Sequence, residues 1–145
     1  MNINNAGLEL LKSFEGCRLT SYQDQKGIWT IGWGCTAGVH EGQTITQEEA
    51  DQMLVNALAA TEKGVSSLVK VPLTSYQFSA LVCFAYNVGL GALEHSTLLG
   101  DINNGFMDDA ANQFILWDHC DGIVDPGLLR RRQAEKQLFR TSTAT

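Results

Sequence analysis

Two kinds of hydrophobic periodicity divide this chain, and where each one falls most constrains its fold. Strand-like texture is confined to residues 17–45, while apolar residues recur at helical spacing on both sides of that stretch. A chain that gathers its β elements in one place does not alternate strand and helix. It segregates them, which predicts an α+β fold, predominantly helical, with a small β-meander. Leu8, Leu10, Leu11 and Phe14 give the first helix its apolar stripe, and Gly16 ends it. A strand is expected from Arg18 to Tyr22, a turn at Asp24-Gln25-Lys26-Gly27, and a second strand from Ile28 to Trp33. Alternation there assigns Trp29, Ile31 and Trp33 to a bulky face, and Thr30, Gly32 and Gly34 to a small, open one. The Gly-rich stretch 34–42 is expected to add a third short strand and a loop.

Beyond the meander the signals are helical. Thr46 and Glu49 form a capping-box pattern ahead of Ala50, Met53, Leu54, Ala57 and Leu58, a helix expected to reach about Gly64. Thr74 and Gln77 form a second box ahead of Phe78, Leu81, Val82 and Ala85, and Gly89 and Gly91 break that helix. Shorter helices are expected at 97–103 and 107–117. A last one runs from Pro126, favoured at a first helical position after Asp125, to about Phe139. The tail from Thr141 to Thr145 is expected to be disordered. Arg130, Arg131, Arg132, Lys136 and Arg140 form a basic stripe, either a binding face or a solvated flank.

The 145 residues fit a single domain with one small lobe. A net charge of −6 argues against nucleic-acid binding. No apolar run has membrane-spanning length, and the first residues carry neither a signal-peptide pattern nor a signal anchor, so a cytoplasm-made, soluble chain is expected. Cys17, Cys35, Cys83 and Cys120 occur singly, without the close pairing of a zinc site. Thiols and no metal or other cofactor are expected, although a disulfide in an exported form stays open.

Three residues have the chemistry for a site. Glu15 ends a helix, where the negative end of the dipole works against a carboxylate's charge and favours the protonated form that a general acid needs. A solvated Glu paired with Lys12 or Arg18 is the plainer alternative. Asp24 lies in a turn, where Asp commonly bonds its own backbone. Thr30 suits a strand in any case. Together they bring two carboxyl groups and a hydroxyl toward a Gly-lined surface, which is the equipment of glycoside hydrolysis.

These residues lie in longer motifs. Phe14-Glu15-Gly16-Cys17-Arg18-Leu19, Tyr22-Gln23-Asp24 and Trp29-Thr30-Ile31-Gly32-Trp33-Gly34 resemble the phage-type lysozymes, the endolysin muramidases. Eight residues separate Glu15 from Asp24, and five separate Asp24 from Thr30, as in that family's Glu-Asp-Thr signature. The similarity continues through residues 44–50, 72–78, 84–89 and 127–135, in order over nearly the whole chain.

The resemblance implies a two-lobed, lysozyme-like fold. Its small lobe would span about 16–64 and its helical lobe about 65–145, with residues 1–15 packed on the latter. It implies a muramidase that cleaves the β-1,4 bond between N-acetylmuramic acid and N-acetylglucosamine with inversion, serving host-cell lysis. By analogy Glu15 is the general acid, Asp24 serves the water, and Thr30 helps hold it. Thr36, Tyr86, Thr97 and Gln113 fall where relatives line the sugar groove. The implied partner is cell-wall peptidoglycan, with no stable membrane insertion. A holin would give access from host cytoplasm to the wall, and the chain would act as a monomer. The chain departs from relatives at Cys35, where they usually carry His. Two other readings stay open: a non-catalytic glycan-binding module, and a cysteine hydrolase using Cys35 with His40 or Cys120 with His119.

Overall fold

The computed structural model describes residues 1–120 and 122–141. The expected disorder of the tail therefore falls almost wholly outside the described residues. In chain order the elements are α1 (Asn5–Glu15), β1 (Arg18–Gln23), β2 (Trp29–Gly32), α2 (Gln47–Leu68), α3 (Ser75–Val88), α4 (Leu90–Glu94), α5 (Thr97–Asn103) and α6 (Met107–Gln113). A 3-10 turn (Phe114–Leu116), β3 (His119–Cys120), β4 (Ile123–Val124) and α7 (Pro126–Phe139) complete the order. The fold is α+β and mostly helical. The chain divides into two compact units: Leu11–Ala60, and Met1–Leu10 with Thr61–Thr145.

In the unit Leu11–Ala60, β1 and β2 form an antiparallel hairpin in which Tyr22 stands opposite Thr30 and Arg18 opposite Gly32. The expected third strand is reduced to two isolated bridges, Thr20 with Thr44 and Ile31 with Cys35. The glycines at 34, 38 and 42 all take positive φ, which turns the backbone too often for a continuous ladder. The first capping box forms as read: Glu49 N donates to Thr46 Oγ1 (3.1 Å), and Thr46 N donates to Glu49 Oε1 (3.0 Å). Leu11, Ile31, Ala50, Leu54 and Leu58 are buried in this unit.

In the other unit α3 is the central element, since all eight residues from Phe78 to Ala85 are buried. A helix apolar on every side has to be enclosed by others. Its own capping box, Thr74 with Gln77, closes as expected. Phe84 sets its ring edge-on to Phe114 (centroids 5.4 Å apart) and to Trp117 (5.5 Å). The start of α1 is pinned here too, with Asn4 N donating to Ser79 Oγ (2.9 Å) and the Cys83 thiol to the Gly7 carbonyl (3.2 Å). Helix α2 runs past Gly64 to Leu68. This glycine is not a stop; it permits close packing, because a Cβ there would overlap the Leu90 methyl groups. Helix α7 starts at Pro126 with Asp125 as its cap, as the sequence predicts.

Two expectations need correction. The β structure is not confined to residues 17–45, because β3 and β4 make a two-residue antiparallel hairpin. So short a pairing leaves no alternation to detect. The basic stripe is neither a binding face nor a solvated flank at its centre: Arg131 and Arg132 are 4% and 0% exposed, and Glu135 is 0% exposed. Arg131 Nε lies 3.2 Å from Glu135 Oε2, and Arg132 Nε lies 2.7 Å from Glu135 Oε1. Arg131 also donates to the Cys83 carbonyl (3.0 Å) and Arg132 to Asn87 Oδ1 (2.9 Å), while the Arg132 guanidinium sits 5.1 Å from the Phe84 ring centroid. Burial pushes Glu135 up from the ordinary carboxylate range and Arg132 down, against the attraction of each for the other.

Removing one member of a buried ion group costs more than the group contributes, because the remaining charges lose their partner but stay out of water. Glu135→Ala is therefore expected to destabilise the fold by about 3–5 kcal/mol. The urea midpoint checks this, and an unchanged midpoint contradicts it.

Candidate active site

Glu15 is the last residue of α1, and Gly16 ends the helix in the left-handed region at φ 66°, its N–H donating to the Lys12 carbonyl (3.0 Å). The Glu15 side chain is half-buried and lies against the backbone of Gly34. A Cβ at Gly34 would stand 2.7 Å from Glu15 Oε1 and 3.0 Å from Cδ. Gly34 also has φ 87°, so the position requires glycine on both counts.

Asp24 organises the hairpin turn. Its Oδ1 accepts the N–H groups of Lys26 (2.8 Å) and Ile28 (2.9 Å), and its own N–H donates to the Ile28 carbonyl (2.9 Å). The turn bonding that the plainer reading invoked is therefore real, and one carboxylate oxygen supplies it. Thr30 departs from expectation. It is only 4% exposed, so it does not lie on an open face, and its hydroxyl donates to the Ile28 carbonyl (2.9 Å). The proton of that hydroxyl is thus engaged, leaving the oxygen as an acceptor. The strand has four residues and twists out at Gly32 (φ 63°), so strict alternation does not carry through to residues 33 and 34.

Glu15, Asp24, Thr30 and the exposed Thr36 all belong to the unit Leu11–Ala60, whereas Tyr86, Thr97 and Gln113 belong to the other. Tyr86 is on α3, Thr97 opens α5 after its Ser96 cap, and Gln113 ends α6. Tyr22 was not singled out from the sequence as a site residue. It stands opposite Thr30, with the Arg18 guanidinium 4.6 Å from its ring centroid. Burial and then the charge of Glu15 raise its phenol above the ordinary tyrosine range; Asp24 adds to this and Arg18 opposes it. Glu15 and Asp24 therefore act on one side chain. The available signal was the register, since Tyr22 and Thr30 flank a turn of fixed length. Asp51, also passed over, accepts from Trp33 Nε1 (2.9 Å) and Gln47 Nε2 (3.0 Å), and these donors hold its carboxyl below the usual range.

A mostly helical α+β chain with one carboxyl at a helix end and a second carboxyl and a hydroxyl on the small hairpin that follows has the architecture of a lysozyme. The phage lysozyme family pattern matches residues 12–135, and the chain belongs to that family. It is 46% identical to an endolysin of Bacillus phage B103 over 97% of this chain and 55% of that protein, so it spans about half the length of that relative. It is 38% identical to an endolysin of Acyrthosiphon pisum secondary endosymbiont phage 1, over 98% of this chain and 100% of that one. Among solved structures it resembles the muramidase domain of SpmX from Asticaccaulis excentricus, with a TM-score of 0.88 and 41% identity over 97% of this chain and 99% of that domain.

The influence of Glu15 on Tyr22 can be measured. Glu15→Gln removes a negative charge that disfavours the phenolate, so the Tyr22 titration should move down toward the ordinary tyrosine value while burial keeps part of the elevation. An NMR titration of the ring signals checks this, and an unmoved midpoint counts against the coupling.

Proposed function

We propose that this chain is a peptidoglycan muramidase that hydrolyses the β-1,4 bond between N-acetylmuramic acid and N-acetylglucosamine with inversion. The observation that carries the reading is the Glu15, Asp24 and Thr30 set, at the spacing of the phage lysozyme family and on one hairpin unit of a chain that belongs to it. Glu15 gives its proton to the glycosidic oxygen as the bond to the anomeric carbon breaks. A water approaches the opposite face, donating one hydrogen bond to the Thr30 oxygen. Asp24, whose Oδ1 is held by the turn, takes the water's other proton through Oδ2. The products are a new reducing end and a free hydroxyl; Asp24 then releases its proton to solvent and Glu15 takes one up, which restores both groups.

Thr36, Tyr86, Thr97 and Gln113 are proposed contacts to the sugar chain. Among the described residues no helix is long and apolar enough to cross a membrane. Action as a monomer on the host cell wall, reached through a holin, completes the proposal. The family's usual His is Cys35 here, whose backbone pairs both ways with Ile31 (2.9 Å each). A water-based mechanism asks nothing of its thiol.

Glu15→Gln keeps size and hydrogen bonding but lacks the transferable proton, so turnover on purified peptidoglycan should fall by at least about two orders of magnitude with the fold intact. Near wild-type clearing by that variant would favour a role for Glu15 outside the chemistry. In the wild-type digest, mass analysis should show new reducing ends on muramic acid. Released peptides would point instead to a cysteine hydrolase, and no products at all to a binding module.

Stereochemistry gives a separate check. When a carboxylate serves water, the first-formed sugar carries the inverted configuration. Proton NMR of the earliest product should show the α-anomer, and a β-anomer would make Asp24 the nucleophile instead.

A further inference from the structure

Within the unit Leu11–Ala60, four side chains outside the proposed catalytic set are linked to one another beside the turn that lies against Glu15. Lys12 lies one helical turn before Glu15 and carries its Nζ 5.1 Å from the Trp33 ring centroid. Trp33 donates its indole N–H to Asp51 Oδ1 on α2 (2.9 Å), and Gln47 Nε2 donates to the same oxygen (3.0 Å). The next residue, Gly34, is the one whose backbone lies against the Glu15 carboxyl. The turn at 33–34 leaves β2 directly, so the Trp33 side chain ties it both to α2 and to the last turn of α1.

The location of this link is informative. Asp51 is exposed and Trp33 half-buried, and an exposed polar contact contributes little to global stability. Yet Asp51 holds two neutral donors on one oxygen, which fixes the indole in place. A glutamate has three side-chain torsions, and a general acid works only when its proton is directed at the leaving oxygen. We propose that Trp33 and Asp51 form a positioning clasp, which keeps the Gly34 backbone pressed against Glu15 and thereby orients its carboxyl for proton donation. This rests on the reading of Glu15 as the general acid. Neither residue touches the reacting atoms; both act through Gly34. Lys12 supports the clasp from the last turn of α1, its ammonium lying over the indole ring.

The test compares Trp33→Phe, which keeps an aromatic face for Lys12 but loses the N–H, with Asp51→Ala and Asp51→Asn. The asparagine retains an oxygen acceptor and should restore the link. Trp33→Phe and Asp51→Ala should each lower kcat on purified peptidoglycan roughly five- to twentyfold, with KM within about twofold, because orientation and not binding is lost. Asp51→Asn should stay within about twofold of wild type. The double variant Trp33→Phe with Asp51→Ala should be no slower than the slower single variant, since both break one link.

A second readout needs no turnover. The Glu15 side-chain carboxyl carbon signal, assigned by its loss in Glu15→Gln, should move in Trp33→Phe and Asp51→Ala and stay in place in Asp51→Asn. An unmoved signal in the first two overturns the clasp whatever the activity. A moved signal with wild-type kcat overturns its part in the reaction, and so do losses that multiply in the double variant. Should the wild-type chain fail to cleave peptidoglycan, the proposed function falls, and the carbon signal still decides whether the clasp holds Glu15.

Discussion

The bonds that Asp24 makes to its own turn determine where the other groups of the hairpin stand. By accepting from Lys26 and Ile28, one carboxylate oxygen sets the length and shape of the connection between β1 and β2. The register beside the turn follows, with Gln23 opposite Trp29 and Tyr22 opposite Thr30. An irregularity between Tyr22 and Arg18 then shifts the pairing, so that Arg18 stands opposite Gly32. A slip of one residue would send every side chain of the hairpin to its other face. Because the same Asp24 is proposed to serve the water, the fold and the chemistry draw on different oxygens of one group. Its turn role and its proposed chemical role are therefore not alternatives.

Glu15 is held by a different device. Its position comes from the end of a helix and from a glycine that lets the backbone come close. The left-handed φ at Gly16 stops α1 one residue after the acid, and the left-handed φ at Gly34 lets the following turn lie against the carboxyl without a Cβ in the way. Neither contact is strong. Both restrict the volume available to the side chain, and restriction of that kind is what the proposed role of Glu15 as proton donor requires.

The unit that contains α3 and α7 meets a different demand. It keeps two guanidinium groups and one carboxylate out of water. Such a group is expensive to desolvate, and it is tolerated only where every member has a counterion or a carbonyl in reach. Helix α7 supplies the ion partners by its own spacing of three and four residues, while α3 supplies the Cys83 carbonyl and the Phe84 ring. In the sequence the same residues look like an exposed basic stripe. Charge alone carries no mark of burial, and α3 is what encloses them.

Much of the fold was legible without coordinates, because it rests on local rules. Both capping boxes, the Gly16 stop, the turn at Asp24 and the Asp125-Pro126 start of α7 are decided by a few neighbouring residues and their backbone chemistry. So were Glu15 and Asp24 as candidates, since helix-end and turn positions follow from the same rules. Contacts distant in sequence were not legible. Thr30 is buried although alternation along its strand assigns it to the open face, so its burial is settled by packing and not by its place in the pattern. Gly64 reads as a helix stop until Leu90 is seen to pack on it, and β3 with β4 is too short to leave a periodic trace. The sequence by itself determined the helix ends, the turn and the spacing of the acidic pair, all of which depend on hydrogen bonds a few residues long. Only the tertiary structure decided which charges lie buried, which glycine gives room to Glu15 and which side chains hold that glycine in place, because each depends on desolvation and close packing between segments far apart in the chain.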